Sequence, residues 1–444
     1  MKHSLKRRKP LQQMNLENKQ ELFPNKIHFV GIGGAGTAPL AGIMLQRGNA
    51  VSGSDIKLND KTSVLADAGA DVFCGHSAAN LANDVGLVVY TSAADKDNPE
   101  LLEAKTRGLQ CLRRGDFLAR LSSLYKRQVA VSGSHGKTTV TAMLAWTLKK
   151  SGLDCGYMVG GEVNDFKNYA AGDGDIFVTE ADESDGTHSL FSPWLGVVTN
   201  VEDDHSWSVG GDKQLFKNFG DFANQSSKLI YWDDQISGSL FSVHDNVRII
   251  NNALVLSELI PSSLQGFMRI DAAIVCAIAE EVGVPFAKAA HLLEGFPGVD
   301  RRMSVHYSGD DLSVVEDYAH HPTEVKYAIE LLRLNYPNHH LRVVFQPHRF
   351  ARLSKYIDEF AEELREADTV FTVPVFAAWT EVGEIDSSDL AAKVGNNAFN
   401  LNGDWCEMPE AILEDLPDSS VIAVLGAGDV NEVIPHLLSS VYSK

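Results

Sequence analysis

The amino-acid sequence predicts an α/β protein of three domains in series: N-terminal Rossmann-like, central of the P-loop ATPase type, and C-terminal Rossmann-like. Three observations predict it. Apolar runs alternate with helical patterns along the whole chain, glycine-rich turns follow two of those runs, and 444 residues exceed what one hydrophobic core organises. The expected divisions are a disordered tail at 1–25 and domains at 26–124, 125–299 and 300–444.

The first domain opens with the strand-like "KIHFVG" (Lys26 to Gly31), a glycine turn, a helix near Thr37 to Arg47, and a second strand "AVSGSD" that ends at Asp55. It continues through "VGLVVYTSAA". The second begins with "QVAVSGS", includes the strands "DIFVTEAD" and "LGVVTNVEDDH", and closes with a helical pair around Ile270 to Phe296. After "GFPGVDRR" the third runs through "LSVVEDYAHHP", "LRVVFQPHR", "DTVFTVPVF" and "SSVIAVLGAGD", each strand-like and most followed by a helix. No internal repeat interrupts the series.

Composition narrows the class. Hydrophobic content of 44% with 22% charged residues is that of an ordinary globular protein, and no apolar run approaches the roughly 20 residues that span a bilayer. The N-terminal charges Lys6, Arg7, Arg8 and Lys9 have no apolar core behind them, which argues against a secretory signal. Cys74, Cys111, Cys155, Cys276 and Cys406 form no CxxC pair, so a zinc site or disulfide framework is not expected; a reducing cytoplasm is, with most of the five as core fillers. The formal charge of −20 disfavours nucleic acid as a partner. Anionic ligands must then be held locally, by glycine loops, helix N-termini and clustered arginines.

Two glycine turns have that form. "GIGGAG" (Gly31 to Gly36) follows a strand and opens a helix, with Asp55 ending the next strand; backbone N–H groups there can approach a diphosphate while the acid accepts from a ribose or base. A merely tight turn is the alternative. "VSGSHGKTTVTAML" has Val131 where the general phosphate-loop string wants glycine, yet Gly133 and Gly136 stand between a strand and a helix. Lys137 can neutralise the outer phosphates, Thr138 can ligate magnesium, and N–H groups from Gly133 to Thr139 can cradle oxygens.

Acidic residues follow. "TEADESDG" crowds four carboxylates at a strand's C-terminal end, where a cation relieves their repulsion unless the turn is simply solvated. Glu180 can share magnesium with His205 of "TNVEDDH" at the same sheet edge. In the third domain Asp317, His320, His321, His348, Arg349 and Arg352 end apolar strands. Anion and substrate contacts suit them better than zinc, because the adjacent His320 and His321 point in different directions; histidines satisfied within their own loops are the other reading.

Taken together and in order, "GIGGAGTAPLAGIMLQRGNAVSGSD", "GSHGKTT", "EADESDG", "VVTNVEDDH", "FPGVDRR", "DYAHHPTEV", "FQPHRFARL" and "GAGDV" resemble the Mur ligase family over nearly the whole chain. That family's phosphate loop is Gly, Thr or Ser, any residue, Gly-Lys-Thr-Thr, which "GSHGKTT" satisfies. The resemblance implies ATP-dependent joining of L-alanine to the carboxylate of UDP-N-acetylmuramate through an acyl phosphate, in cytoplasmic peptidoglycan synthesis. It assigns Gly31, Gly33, Gly34, Ala35, Gly36, Asp55 and Ser92 to the UDP-sugar. Gly133, Ser134, His135, Gly136, Lys137, Thr138, Thr139, Arg302 and Asp317 go to ATP, and His348, Arg349 and Arg352 to the amino-acid side. Lys137, Glu180, His205 and Asp317 become the catalytic set, with Mg2+ on Thr138, Glu180 and His205.

Charge and composition lead to the expectation of no nucleic acid or membrane partner, and a monomer or homodimer is expected. The alternatives to the implied activity are a relative that attaches a whole peptide to the same sugar nucleotide, or a weakly active nucleotide-binding paralogue. One stretch departs from the pattern: Phe267 and Met268 stand where the family carries His-Asn, and Asp271 where it carries a second Asn, amides that contact the nucleotide. Ser206 to Gln265 is also shorter than the family's usual segment.

Overall fold

The computed structural model describes residues 23–204, 206–378 and 383–442. Three sheets follow one another along the chain. The first consists of β1 (Lys26–Val30), β2 (Ala50–Asp55), β3 (Asp71–Cys74), β4 (Leu87–Tyr90) and β5 (Gln110–Arg113), in the order β3-β2-β1-β4-β5 and parallel throughout. Helices cover both faces of such a sheet, which is why central β1 reads as a continuous apolar run with Ile27, Phe29 and Val30 fully buried. Strand order reverses between β1 and β4, the place where doubly wound sheets open a ligand crevice.

One polar residue interrupts the β1 run. His28 is fully buried; its Nδ1 lies 2.9 Å from Ser52 Oγ on β2, and its Nε2 lies 3.5 Å from a Glu100 carboxylate oxygen. Ser54 Oγ donates to Glu100 at 2.5 Å, Asn80 Nδ2 at 2.8 Å and the Ser77 N–H at 3.3 Å, with His76 Nδ1 at 3.4 Å. Burial works to raise the pKa of Glu100, but these partners outweigh it and hold the carboxyl down at about 2.

The second sheet contains β6 (Arg127–Ser132), β7 (Cys155–Met158), β8 (Tyr169–Ala170), β9 (Ile176–Glu180), β10 (Leu195–Val198), β11 (Lys228–Trp232) and β12 (Val247–Ile250). Their order is β12-β11-β10-β6-β9-β7-β8, with only the short edge strand β8 antiparallel. Both sheets belong to one compact unit, Met1–Ser263 with Arg269–Pro297. They meet at the helix Ala38–Gln46: a Cβ at Gly42 would sit 2.3 Å from the ring of Tyr169, and Gln46 Oε1 accepts from the Ala171 N–H at 2.7 Å.

The second unit, Leu264–Met268 with Gly298–Lys444, holds the third sheet. It comprises β13 (Ser304–Ser308), β14 (Leu312–Asp317), β15 (His340–Phe345), β16 (Thr369–Thr372), β17 (Ala398–Asn400) and β18 (Ser420–Leu425), ordered β13-β14-β18-β15-β16-β17. Only β13 runs antiparallel. Each apolar run expected as a strand in this domain is one, and the edge strands β13 and β17 add to them.

Two expectations need correction. Phe23 lies inside the stretch expected as tail but is buried, with its ring 5.0 Å from that of Phe117 and the Arg120 guanidinium 5.0 Å from its centroid. Ordered packing therefore reaches at least to Phe23, and residues 1–22 lie outside the described part. Most cysteines were expected in the core, yet only Cys155 and Cys276 are buried; Cys74 ends the edge strand β3 and Cys406 occupies a turn, both exposed. No helix among the described residues is long and apolar enough to cross a membrane.

Candidate active site

The central strand β6 is buried up to Ser132, and the loop that follows turns on two glycines. Gly133 has φ +136°, and a Cβ there would meet Thr199 Oγ1 at 2.0 Å; Gly136 has φ +82° and begins the helix Lys137–Ser151. Val131 pairs with Val197 and Glu180 inside the sheet, so glycine is needed two residues later than the general string puts it. The end of β10 fastens the loop: the Ser134 N–H donates to the Asn200 carbonyl at 3.1 Å, the His135 N–H to Asn200 Oδ1 at 2.9 Å, and the Glu202 N–H to Ser134 Oγ at 2.8 Å. A helix N-terminus with a cradle of backbone N–H groups is a phosphate site by its electrostatics.

β9 delivers Glu180 to the same edge. Its Oε1 accepts from the Gly160 N–H at 2.6 Å and its Oε2 from Thr138 Oγ1 at 3.0 Å, while burial pushes its pKa up against those donors and Lys137. Thr138 and Glu180 thus present hard oxygen atoms at the mouth of a phosphate loop, a donor set that fits magnesium. His205 lies outside the described residues.

Lys137 is already engaged. Its Nζ donates to the Gly133 and Ser134 carbonyls at 2.6 and 3.1 Å and lies 2.7 Å from Glu183 Oε2. Burial works to lower the lysine's pKa, but Glu183 and Asp182 outweigh it and raise it. Burial, with the neighbouring Asp182 charge, pushes Glu183 up to about 7 although Lys137 pulls it down. Asp271 also reaches the loop: a Cβ at Gly136 would sit 3.0 Å from its Oδ1. The departure at that position therefore puts a buried carboxylate beside the phosphate loop.

At the first crevice, Asp55 Oδ2 accepts from the Gly33 N–H at 2.9 Å, so one oxygen of the acid expected at the ribose is occupied in shaping the loop. Asn59 Nδ2 adds a bond to the Gly33 carbonyl at 3.2 Å. Gly31 (φ +78°) crosses Thr91 closely, with 2.6 Å from a built Cβ to the threonine methyl; Gly34 and Ala35 continue the turn, and Ser92 lies exposed beyond β4. Gly36 is crossed by Arg114, whose Nη1 would be 2.5 Å from a Cβ there. The Arg114 Nη2 lies 3.3 Å from Asp185 Oδ2 and 3.7 Å from Asp182 Oδ2.

The second unit gathers its own set. Asp317 ends β14 with Oδ2 accepting from the Met303 N–H at 2.9 Å and Oδ1 from the Ala319 N–H at 2.8 Å; burial pushes its pKa up, and the Arg302 charge opposes this. Arg302 lies over the Tyr318 ring and 3.7 Å from Glu324. Arg352 is fully buried, with Nη1 3.2 Å from His348 Nδ1 and 3.3 Å from the His348 carbonyl; Arg349, at φ +69°, opens the helix Phe350–Leu364. Of the substituted positions, Phe267 meets the Tyr327 ring with centroids 3.5 Å apart, an apolar contact where the family carries a polar residue.

Arg114 and Glu183 are the residues that sequence reasoning missed. "DESDG" marked Glu183 only as one acid among four, and Arg114 stands in "LRRGDF", which carries no motif.

The comparisons with known proteins agree along the chain. Family models match at residues 26–126 (Mur ligase family, catalytic domain), 131–250 (Mur ligase middle domain) and 301–428 (Mur ligase, glutamate ligase domain). The UDP-N-acetylmuramate–L-alanine ligase of Carboxydothermus hydrogenoformans is 35% identical over 93% of this chain and 96% of its own. That of Gloeobacter violaceus is also 35% identical, over 93% of this chain and 95% of its own. Among solved structures, the UDP-N-acetylmuramate-alanine ligase of Thermotoga maritima superposes with a TM-score of 0.76 at 26% identity, covering 94% of this chain and 99% of that one. A murein peptide ligase of Psychrobacter arcticus shares the fold at a TM-score of 0.67 and 21% identity, covering 94% and 98%. With three family models in series and relatives this similar over almost their full length, the chain belongs to the Mur ligase family.

Proposed function

We propose that this protein is an ATP-dependent ligase that joins L-alanine to the carboxylate of UDP-N-acetylmuramate in peptidoglycan synthesis, working in the cytoplasm. The observation that carries this reading is the convergence of Lys137, Thr138 and Glu180 on an unbroken family phosphate loop. The chain around that loop is 35% identical throughout to ligases named for this reaction.

The muramyl carboxylate oxygen attacks the γ-phosphorus of ATP and ADP leaves. The amine of L-alanine then attacks the acyl carbon, phosphate departs, and the amine loses a proton. Bringing two anions together is the main electrostatic cost, so cations and backbone donors carry most of the rate. Lys137 leaves Glu183 for the outer phosphates, and the N–H groups from Gly136 to Thr139 hold the chain of phosphates, those of Ser134 and His135 being given to Asn200. Thr138 and Glu180, with His205 as the resemblance implies, would hold magnesium, which would neutralise phosphate charge. Gly31 to Gly36, with Asp55 and Ser92, receive the UDP-sugar. The resemblance assigns Asp317 and Arg302 of the second unit to the nucleotide, and His348, Arg349 and Arg352 to the amino-acid side.

Phosphate release with ATP, magnesium and UDP-N-acetylmuramate tests the reading, with L-alanine and a muramyl-type tripeptide compared as acceptors. L-Alanine is expected to support turnover and the peptide not. Turnover with the peptide alone would move the chain to the peptide-attaching branch, and no release with any acceptor would reduce it to a nucleotide-binding paralogue.

A further inference from the structure

Arg114 is the first residue of the helix Arg114–Ser122, and it touches two loops of different sheets. Its guanidinium crosses Gly36 at the end of the first glycine loop and pairs with Asp185 and Asp182 in the acidic loop after β9. Both carboxylates are held from behind: Asp185 Oδ1 accepts from the Thr187 N–H at 2.9 Å and Asp182 Oδ1 from the Ser184 N–H at 2.9 Å, which leaves each Oδ2 turned toward the arginine. The backbone beneath Arg114 is fixed as well, because Gly115 packs so closely on Thr187 that a Cβ would meet its Oγ1 at 2.2 Å.

Resting on the reading that the first glycine loop receives a sugar nucleotide, we propose that Arg114 binds an anionic group of that substrate, and that Asp182 and Asp185 compete with the substrate for it. A guanidinium with 26% of its side chain exposed, next to the loop that would hold a diphosphate, is placed to exchange one anionic partner for another. In the empty protein the acidic loop occupies it. Arrival of the sugar nucleotide draws Arg114 off Asp185, so the ion pair is a competitor of binding and not a support of the fold.

A structural salt bridge and a competing one differ in sign. If Asp185 merely anchors Arg114, Arg114→Ala and Asp185→Asn weaken substrate binding alike; if it competes, they act in opposite directions. Asparagine keeps the Oδ1 acceptor for Thr187 and removes only the charge. Calorimetric titration with UDP-N-acetylmuramate is expected to show Arg114→Ala weakened about tenfold or more, Arg114→Lys in between, and Asp185→Asn tightened about threefold. UDP-N-acetylglucosamine, which lacks the carboxylate, separates the two anions: an equal loss in Arg114→Ala places the guanidinium on the diphosphate, a smaller loss on the muramyl carboxylate.

Weakening by both variants, or unchanged affinity in Arg114→Ala, overturns the inference while leaving the proposed ligase intact if the wild type still binds and turns over. Should Arg114→Ala not fold, the sign of Asp185→Asn decides alone. A wild type that does not bind UDP-N-acetylmuramate at all would overturn the proposed function and this inference with it.

Discussion

Glu100 and Glu183 are both closed off from solvent in the same unit, and their surroundings drive them in opposite directions. Glu100 is met by Ser54, Asn80, the Ser77 N–H and two histidines, and its carboxyl is held at about 2. Glu183 has Lys137 on one side and the like charge of Asp182 near it, and burial pushes it up to about 7. A carboxylate with a full complement of donors is part of the scaffold. One that depends on a single cation, itself required elsewhere, is part of a site.

The sharpest test of that contrast removes the shared cation. Lys137→Ala is expected to lower alanine-dependent phosphate release by about 10²–10³-fold or more, because a positioned cation on developing phosphate charge is lost. Melting behaviour should be little affected, since the stranded Glu183 can take up a proton; equal activity in the variant would break the assignment of the loop. Removing the other carboxylate should do the reverse. Glu100→Ala leaves two histidines, Ser54 and Asn80 facing a buried void, and urea denaturation is expected to show about 3–5 kcal/mol lost, with activity per folded molecule retained.

Acidity separates the pair by sign. Glu100, held at about 2 from an ordinary 4.5, contributes stability that is intact above 4.5 and is lost as pH falls toward 2. Glu183, pushed up to about 7 from 4.5, contributes stability that is intact below 4.5 and is lost as pH rises through 7. Unfolding curves of Glu100→Gln and Glu183→Gln against wild type, collected from about pH 3 to pH 8, should therefore approach it toward low pH and part from it toward neutral pH in opposite directions, Glu100→Gln losing and Glu183→Gln gaining relative stability, with the Glu100 effect roughly 3 kcal/mol across its window. Parallel curves would mean that the two carboxylates are not in different electrostatic states.

His188 gives the smallest test and a third case. It is fully buried, and among the described residues neither ring nitrogen meets a side-chain or backbone partner at good hydrogen-bond geometry; its ring lies 4.8 Å from that of Phe219, and burial lowers its pKa to about 4 against the pull of the Asp182 backbone. His188→Phe is expected to stabilise the protein by about 1–2 kcal/mol in the same denaturation assay, and a loss would point to a partner for the ring in the loaded enzyme.

Much of this architecture was legible because strands buried on both faces advertise themselves. β1, β9, β14 and β18 lie within expected runs and β6 and β15 start one residue ahead of theirs, and the residues that follow β1, β6 and β9 form the two glycine loops and the acidic loop. Short edge strands were harder: β12 is four residues, and β13 has no buried position. Pairing was harder still. Which of four neighbouring acids meets Lys137 depends on a turn after β9 that periodicity does not encode, and Glu100 sits in "NPELLEAKT", which reads as an exposed helix. One signal was present: a histidine in an apolar strand opposite the serines of β2 must find polar company, and Glu100 supplies it.

Gly42 under the Tyr169 ring carries a further consequence, for the order in which sequences can change. Glycine inside a helix costs about 1 kcal/mol against alanine, so drift alone would favour replacing it. Here any larger residue collides with the ring at 2.3 Å, whereas Tyr169 can shrink without disturbing Gly42. The two positions form a one-way gate in descent: the tyrosine must yield before the glycine is released, and until it does the helix that begins at the first glycine loop inherits its weakest residue.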